Sequence, residues 1–389
     1  MRIPHNAART VCAFRPVVQT QTDRKQEDIP ISRPHGNAAG QGVLACRSRI
    51  DPLTPKLTVV SKTEECAVVR KIIPNETLRV ISTTDLHLRS DPEKCEKAFR
   101  FLTYHIRDMQ PDLLILTGDL FLSRAPMDDA LRFAARLEEA GVFWAFTFGN
   151  HDVQELTPFL QKKLVHRLSA FPHCLTCPGL PEIPGNGNCR IEALNADGSF
   201  CKALVLLDSH TDITPASALR AGLPADARGD DYIYPEQIGW FERGMRRIRA
   251  QYGGRAGSLV FFHTPLPEYK RIFRNSSDGL PVRTQEGRLL YGTAVENICA
   301  HAYNSGFFDA MKRCGGEALY VGHDHVNDFC AELEGVLLIY SQTGGYDTYT
   351  MADKTDLPER DWPNGVTVTD VLPDGSFTVY PRYTGRHYL

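Results

Sequence analysis

The sequence predicts an α/β domain whose sheets are covered by helices, and three observations predict it. From Leu78 onward, short β-branched and aromatic runs alternate with stretches of helical periodicity. The later part of the chain is richer in strand patterns than the earlier part. Metal-ligand side chains also follow immediately after five of the apolar runs. Alternation of this kind builds sheets flanked by helices.

Taken in order, LRVISTT (78–84) reads as a buried strand, Glu93–Met109 as a helix, DLLILT (112–117) as a strand and Asp128–Ala140 as a helix. VFWAFTF (142–148) is the next strand, followed by a helix around Leu156–Leu168 and strands at Arg190–Leu194 and ALVLLD (203–208). A helix at Pro235–Gln251 precedes strands SLVFF (258–262), ALYV (318–321), Val336–Tyr340 and Val366–Val371. Internal repeats and low-complexity tracts are absent.

The composition narrows the functional classes. The chain has 389 residues, 42% hydrophobic and 23% charged, the profile of a soluble globular protein. With 44 Lys+Arg against 47 Asp+Glu, it has no excess of cations for a phosphate backbone, so no nucleic-acid partner is expected. No run of about 18 apolar residues and no secretory signal core occurs, so no membrane partner is expected. The 11 cysteines form no regular framework and read as reduced thiols of a cytoplasmic protein. Cys174 and Cys177 make one CxxC without a second ligand pair, which reads as a loop or packing feature.

Residues 1–76 differ from the rest. They are rich in proline, and the first 50 residues carry eight Lys/Arg against three Asp/Glu. That composition fits either a poorly ordered tail or an organelle transit peptide. The expected division is an N-terminal extension at 1–76, carrying no chemistry, and one domain at 77–389.

Five motifs carry the chemistry: Asp85-Leu86-His87, Gly118-Asp119, Gly149-Asn150-His151-Asp152, His263, and Gly322-His323-Asp324-His325. Singly, each has a plain reading as a turn, a helix cap or a packed histidine. Together they differ, because each sits at a strand end, and ligands of α/β sheets bind in the crevice beyond the carboxyl ends of strands. Asp119 lies 34 residues after Asp85 and Asn150 lies 31 after Asp119, one strand-helix-strand unit each.

This order resembles the metallophosphoesterase superfamily, the calcineurin-like phosphoesterases, whose pattern is DxH, GD, GNH(D/E), a lone His and GHxH. FFHTPLPEY (261–269), GHDHVNDFC (322–330), LLDS (206–209) and PEQIGWF (235–241) are similar to the purple acid phosphatase-related branch with its Dcr2-like and purple acid phosphatase 29-like proteins. The resemblance runs from about Leu78 to about Tyr349. One departure stands out: true purple acid phosphatases have a GDxxY block whose Tyr binds ferric iron, and here Leu122 holds that position.

The resemblance implies a four-layer α-β-β-α sandwich of two mixed sheets flanked by helices. It implies one metal held by Asp85, His87, Asp119 and His325, and a second by Asp119, Asn150, His263 and His323, with Asp119 bridging. Asp and His with one amide oxygen suit divalent Mn²⁺ or Fe²⁺, with Zn²⁺ as a third choice. The implied reaction is hydrolysis of a phosphomonoester by a metal-bridging hydroxide, on a small phosphorylated substrate or a phosphoprotein. A phosphodiesterase of the cyclic-nucleotide or glycerophosphodiester type and a catalytically weak metal-binding scaffold are the alternatives. His151 is the expected transition-state stabiliser or proton donor; Asp152 either orients His151 or caps the following helix. Glu268, Tyr269 and Gly344–Tyr346 are further candidates for the walls of the substrate site, and Arg243, Arg246, Arg247 and Arg249 read as a solvated helix face. The sequence leaves the oligomeric state open.

Overall fold

The computed structural model describes residues 53–88, 92–122, 126–153, 156–253, 256–349 and 364–384. Among them run β1 (Leu57–Lys62), β2 (Cys66–Lys71), β3 (Leu78–Thr83), α1 (Pro92–Met109), β4 (Leu113–Thr117), α2 (Pro126–Ala140), β5 (Phe143–Thr147), α3 (Asn150–Val153), α4 (Pro158–Ser169), β6 (Cys189–Leu194) and β7 (Phe200–Leu206). There follow α5 (Pro215–Arg220), α6 (Pro235–Tyr252), β8 (Ser258–Phe261), the short pair β9 (Phe273–Arg274) and β10 (Val282–Arg283), β11 (Arg288–Thr293), α7 (Phe307–Cys314), β12 (Gly316–Val321), β13 (Asp328–Leu333), β14 (Val336–Tyr340), β15 (Gly365–Val371) and β16 (Phe377–Tyr383).

Two sheets stack face to face. A five-stranded sheet has the order β16-β15-β3-β4-β5, and a nine-stranded sheet has the order β1-β2-β6-β7-β8-β12-β14-β13-β11. Alternation along the strands sends side chains to opposite faces. Leu113 and Ile115 of β4 therefore enter the core between the sheets, with Leu204 and Leu206 of β7 and Leu259 and Phe261 of β8. Leu114 and Leu116 turn outward to meet Phe99 and Leu102 of α1, Phe133 and Leu137 of α2, and Leu164 and Leu168 of α4. On the far side, Val205, Val260 and Leu319 pack against Trp240, Phe241 and Met245 of α6 and Phe307 and Met311 of α7. The layers run helix, sheet, sheet, helix, the expected α-β-β-α sandwich. No helix among the described residues is long and apolar enough to cross a membrane.

The motif spacing predicted neighbouring strands, and β3 pairs parallel with β4 and β4 parallel with β5. The expected boundary at residue 76 needs correction. β2 pairs parallel with β6, β1 pairs antiparallel with β2, and Leu57, Ala67 and Val69 lie in the core between the sheets. The domain thus takes in the stretch from at least Leu57; residues 1–52 lie outside the described ones. Cys174 and Cys177 are buried in the helix-side and inter-sheet cores, as a packing role requires. The nine cysteines among the described residues are all free.

Candidate metal centre

All five motifs fall just beyond the carboxyl ends of parallel strands: β3, β4 and β5 in one sheet, β8 and β12 in the other. The two rows meet because their turns bond to one another. Asp85 N–H donates to the Gly118 carbonyl at 3.1 Å and His87 N–H to the Asp119 carbonyl at 2.9 Å. Across the sheets, His323 N–H donates to Asp85 Oδ2 at 3.0 Å, and the His263 ring reaches the Thr117 carbonyl at 2.8 Å. Glycine permits this approach. A Cβ on Gly149 would lie 2.2 Å from Asp119 Oδ1, and one on Gly322 would lie 1.9 Å from Thr84 Oγ1. Asp85, His87, Asp119 and His323 are not glycines, yet all take left-handed backbone, with φ of 53°, 43°, 51° and 79°.

The donor atoms of the predicted ligands converge in two groups, Asp85 with His87 and His325, and Asp119 with His263 and His323; His323 also lies in a group with Cys299 and Asp324. In the first, His87 Nε2 and His325 Nε2 are 2.9 Å apart, and Asp85 Oδ1 lies 3.6 and 3.4 Å from them. Asp119 Oδ2 stands between the groups, 3.6 Å from His87 Nε2 and 3.2 Å from His263 Nε2. Ligands about 2.0–2.2 Å from one ion lie about 3 to 3.5 Å from each other, so these separations fit a shared cation. Asp85 Oδ1, Asn150 Oδ1 and His263 Nε2 are buried without a hydrogen-bond partner. Such orphaned atoms are costly unless something other than a protein donor meets them. Because a carbonyl only accepts, His263 Nδ1 carries a proton there, and Nε2 is the nitrogen turned toward Asp119.

The electrostatics follow from this crowding. Burial alone would raise the Asp85 carboxyl, but His325 and His263 hold it well below the usual carboxylate range. Burial also opposes ionisation of Asp119, and His263 and His87 bring it down to about 2. His263 is raised to about 10: burial disfavours the charged ring, and the Asp119 and Asp85 carboxylates outweigh it.

His151 is the second residue of the short α3, after Asn150, and its N–H donates to Asp119 Oδ1 at 2.9 Å. Its ring stands edge-on to that of His87 at 5.3 Å, its Nδ1 has no partner, and burial lowers its pKa from the ordinary value. Asp152 takes another part. Its Oδ1 accepts from Leu120 and Phe121 N–H and its Oδ2 from Gly149 N–H, each at 2.8 Å. It ties the turn after β4 to the turn after β5, a structural part, and of the two expected roles the orienting of His151 has no hydrogen bond behind it among the described residues.

Other sequence candidates are placed elsewhere. Tyr269 is buried and donates to the carbonyls of Leu319 and Ile339 at 3.0 and 3.2 Å, plugging the nine-stranded sheet. Glu268 accepts from Asn304, and Tyr346 packs against Phe101. A Cβ on Gly345 would lie 2.1 Å from the Asp85 carbonyl, so 344–345 back the first turn. Arg247 pairs with the buried Glu192 and so is no purely solvated residue. Sequence reasoning missed Tyr349, whose ring stacks on His325 at 4.3 Å, and Asp230, whose Oδ2 lies 3.3 Å from His323 Nε2. No motif marks either, since both come from connecting segments.

The profile of the family described as calcineurin-like phosphoesterase matches residues 78–327. A protein named probable inactive purple acid phosphatase 29, from Arabidopsis thaliana, is 28% identical over 310 residues, 72% of this chain and 74% of that one. Phosphatase DCR2 from Saccharomyces cerevisiae is 24% identical over 277 residues, 65% of this chain but only 44% of that one. Among solved structures, a dimetal phosphatase from Danio rerio aligns with 80% of this chain and 100% of its own at 13% identity, with a TM-score of 0.48.

Proposed function

Because this chain belongs to the calcineurin-like phosphoesterase family, we propose that it is a phosphoric ester hydrolase acting on phosphomonoesters with two divalent cations. The observation that carries this reading is the convergence of six donor residues, Asp85, His87, Asp119, His263, His323 and His325, with the buried, partnerless Asn150 Oδ1 and His151 on the adjoining α3 outside both histidine-carboxylate groups. Asp85, His87 and His325 would hold one cation and Asn150, His263 and His323 the other, with Asp119 shared. Mn²⁺ or Fe²⁺ is favoured and Zn²⁺ is the third choice, because the set mixes imidazole with carboxylate and one amide. When bound, such a pair activates water and neutralises phosphoryl charge.

The residues of the chain supply the rest. Asp119 is kept ionised and its Oδ1 is occupied by the His151 N–H, which leaves Oδ2 for the shared position. His151, fixed through its own backbone, would present an imidazole to the leaving alkoxide and, in its charged form, which burial disfavours, would give it a proton. General-acid help of this kind is worth about 10²- to 10⁴-fold. The substrate proposed is a small phosphorylated molecule or a phosphoprotein. The free cysteines among the described residues support a cytoplasmic setting.

A second reading, a metal-binding scaffold of low activity, is favoured by Leu122 standing where a tyrosinate would, and by the word inactive in the name of the plant relative. Assay of Mn²⁺-loaded protein on para-nitrophenyl phosphate and its bis ester separates the readings. Hydrolysis of the monoester is expected. Preference for the bis ester makes the protein a phosphodiesterase, and no hydrolysis of either with two ions bound makes it the scaffold.

A further inference from the structure

We propose that Asp230 is a positioning residue for the second cation, acting through His323 by deciding which ring nitrogen of that histidine faces the ion. The inference rests on the two-cation reading above and concerns a residue outside all five motifs. His323 has little freedom in its main chain: its backbone is left-handed at φ 79° and its N–H is committed to Asp85 Oδ2. The remaining freedom is rotation of the ring, which has His263, Asp230, Asp324 and Cys299 around it. It stands edge-on to His263 at 5.1 Å, and its Nε2 lies 3.3 Å from Asp230 Oδ2, with both side chains largely out of solvent at 15% and 14% exposure.

An ionised carboxylate only accepts, so the nitrogen that faces Asp230 carries the proton and Nδ1 keeps the lone pair. The other inward-facing rings are treated in the opposite sense. His263 gives its Nδ1 proton to the Thr117 carbonyl and His325 turns Nδ1 toward Thr348 Oγ1 at 2.8 Å, so both leave Nε2 inward. Of the three outer partners, a carbonyl, a hydroxyl and a carboxylate, only Asp230 is charged, and partners of this kind raise ligand basicity as well as orient the ring.

Asp230 is itself held in place. Its carbonyl accepts from Ala302 N–H at 2.9 Å, and the next residue, Asp231, donates its N–H to the Thr211 carbonyl at 2.8 Å. The segment between α5 and α6 therefore enters the metal centre as the support of one ligand.

The test is titration of the full chain, stripped of metal, with Co²⁺, followed by calorimetric stoichiometry and by the visible absorption of the bound ion. Asp230→Ala is expected to weaken the second Co²⁺ about 10- to 100-fold and alter its absorption, with the first unchanged. Asp230→Asn, whose side-chain oxygen accepts the same proton, is expected to lie between that variant and wild type, and it keeps the test open if the alanine variant fails to fold. Wild-type affinity and spectrum in both variants would overturn the inference. Outright loss of the second ion in both would also overturn it, by making Asp230 a direct ligand. A wild-type chain that takes up a single Co²⁺ would overturn the two-cation reading, and this inference with it.

Discussion

At the crevice, Asp85, His87, Asp119 and His323 hold left-handed backbone, and several buried donor atoms have no hydrogen-bond partner. At the far edge of the nine-stranded sheet, β1 and β2 form an antiparallel ribbon whose first strand is exposed along most of its length. The crevice is chemically costly and depends on the rest of the fold to hold it; the ribbon contributes to that fold through Leu57, Ala67 and Val69. Function and stability are thus separated in space, and mutations in the two regions should have different signatures.

The largest effect is expected from Asp119→Ala, which removes the oxygen between the two donor groups. Phosphatase activity should disappear and metal content, measured by mass spectrometry, should fall below two ions per chain; retention of both would remove Asp119 from the bridge. His151→Asn comes next, with kcat on substrates of poor leaving group down about 10²- to 10⁴-fold and metal content unchanged. Loss of metal in that variant would instead make His151 a ligand. The ribbon is tested by comparing a chain that starts at Leu53 with one that starts at Ile72. The shorter is expected to lose several kcal/mol in denaturant unfolding, since each fully buried Leu or Val contributes roughly 1.5–3 kcal/mol. Equal midpoints would make the ribbon an appendage.

The smallest effect concerns His105 of α1, a buried histidine in the helix layer that bonds to Thr384 at 3.1 Å. Burial lowers it to about 4. The unfolded chain, with a histidine pKa near ~6.5, binds the proton more readily. Its stabilising contribution is therefore present above that value and is lost as pH falls toward 4. Between pH 7 and pH 4.5 the loss is about 2 kcal/mol, and His105→Gln should flatten the pH dependence of unfolding by that amount.

The crevice was legible because each of its motifs is local: a strand, a tight turn and a polar side chain within a few residues, so Asp85, Asp119, His263 and His323, which the fold does bring together, stood out without any knowledge of their partners. β1 and β2 were hidden because LTVVSK and CAVVRK become strands by pairing with each other and with β6, in a proline-rich context. Tyr269 was misplaced for a related reason: its nearness to His263 in sequence says nothing about its hydroxyl spanning two neighbouring strands. Asp230 and Tyr349 reach the centre through connecting segments whose course only tertiary structure defines. Asp152 was half legible, since it does support a turn, although through three backbone donors and without the expected link to His151.

Left-handed backbone at four of the proposed ligands has a thermodynamic consequence. Strained non-glycine residues cost of order 1–3 kcal/mol each and persist only where their surroundings insist on them. Part of the work of arranging ligands is therefore done when the chain folds, before any ion arrives. Ion uptake then draws on the same equilibrium as folding, and an ion at a hundred times its Kd adds about 2.7 kcal/mol to the folded state. If the two-cation reading holds, a preparation kept in chelator is a shorter-lived molecule as well as an idle one, and its melting temperature should report the concentration of free cation.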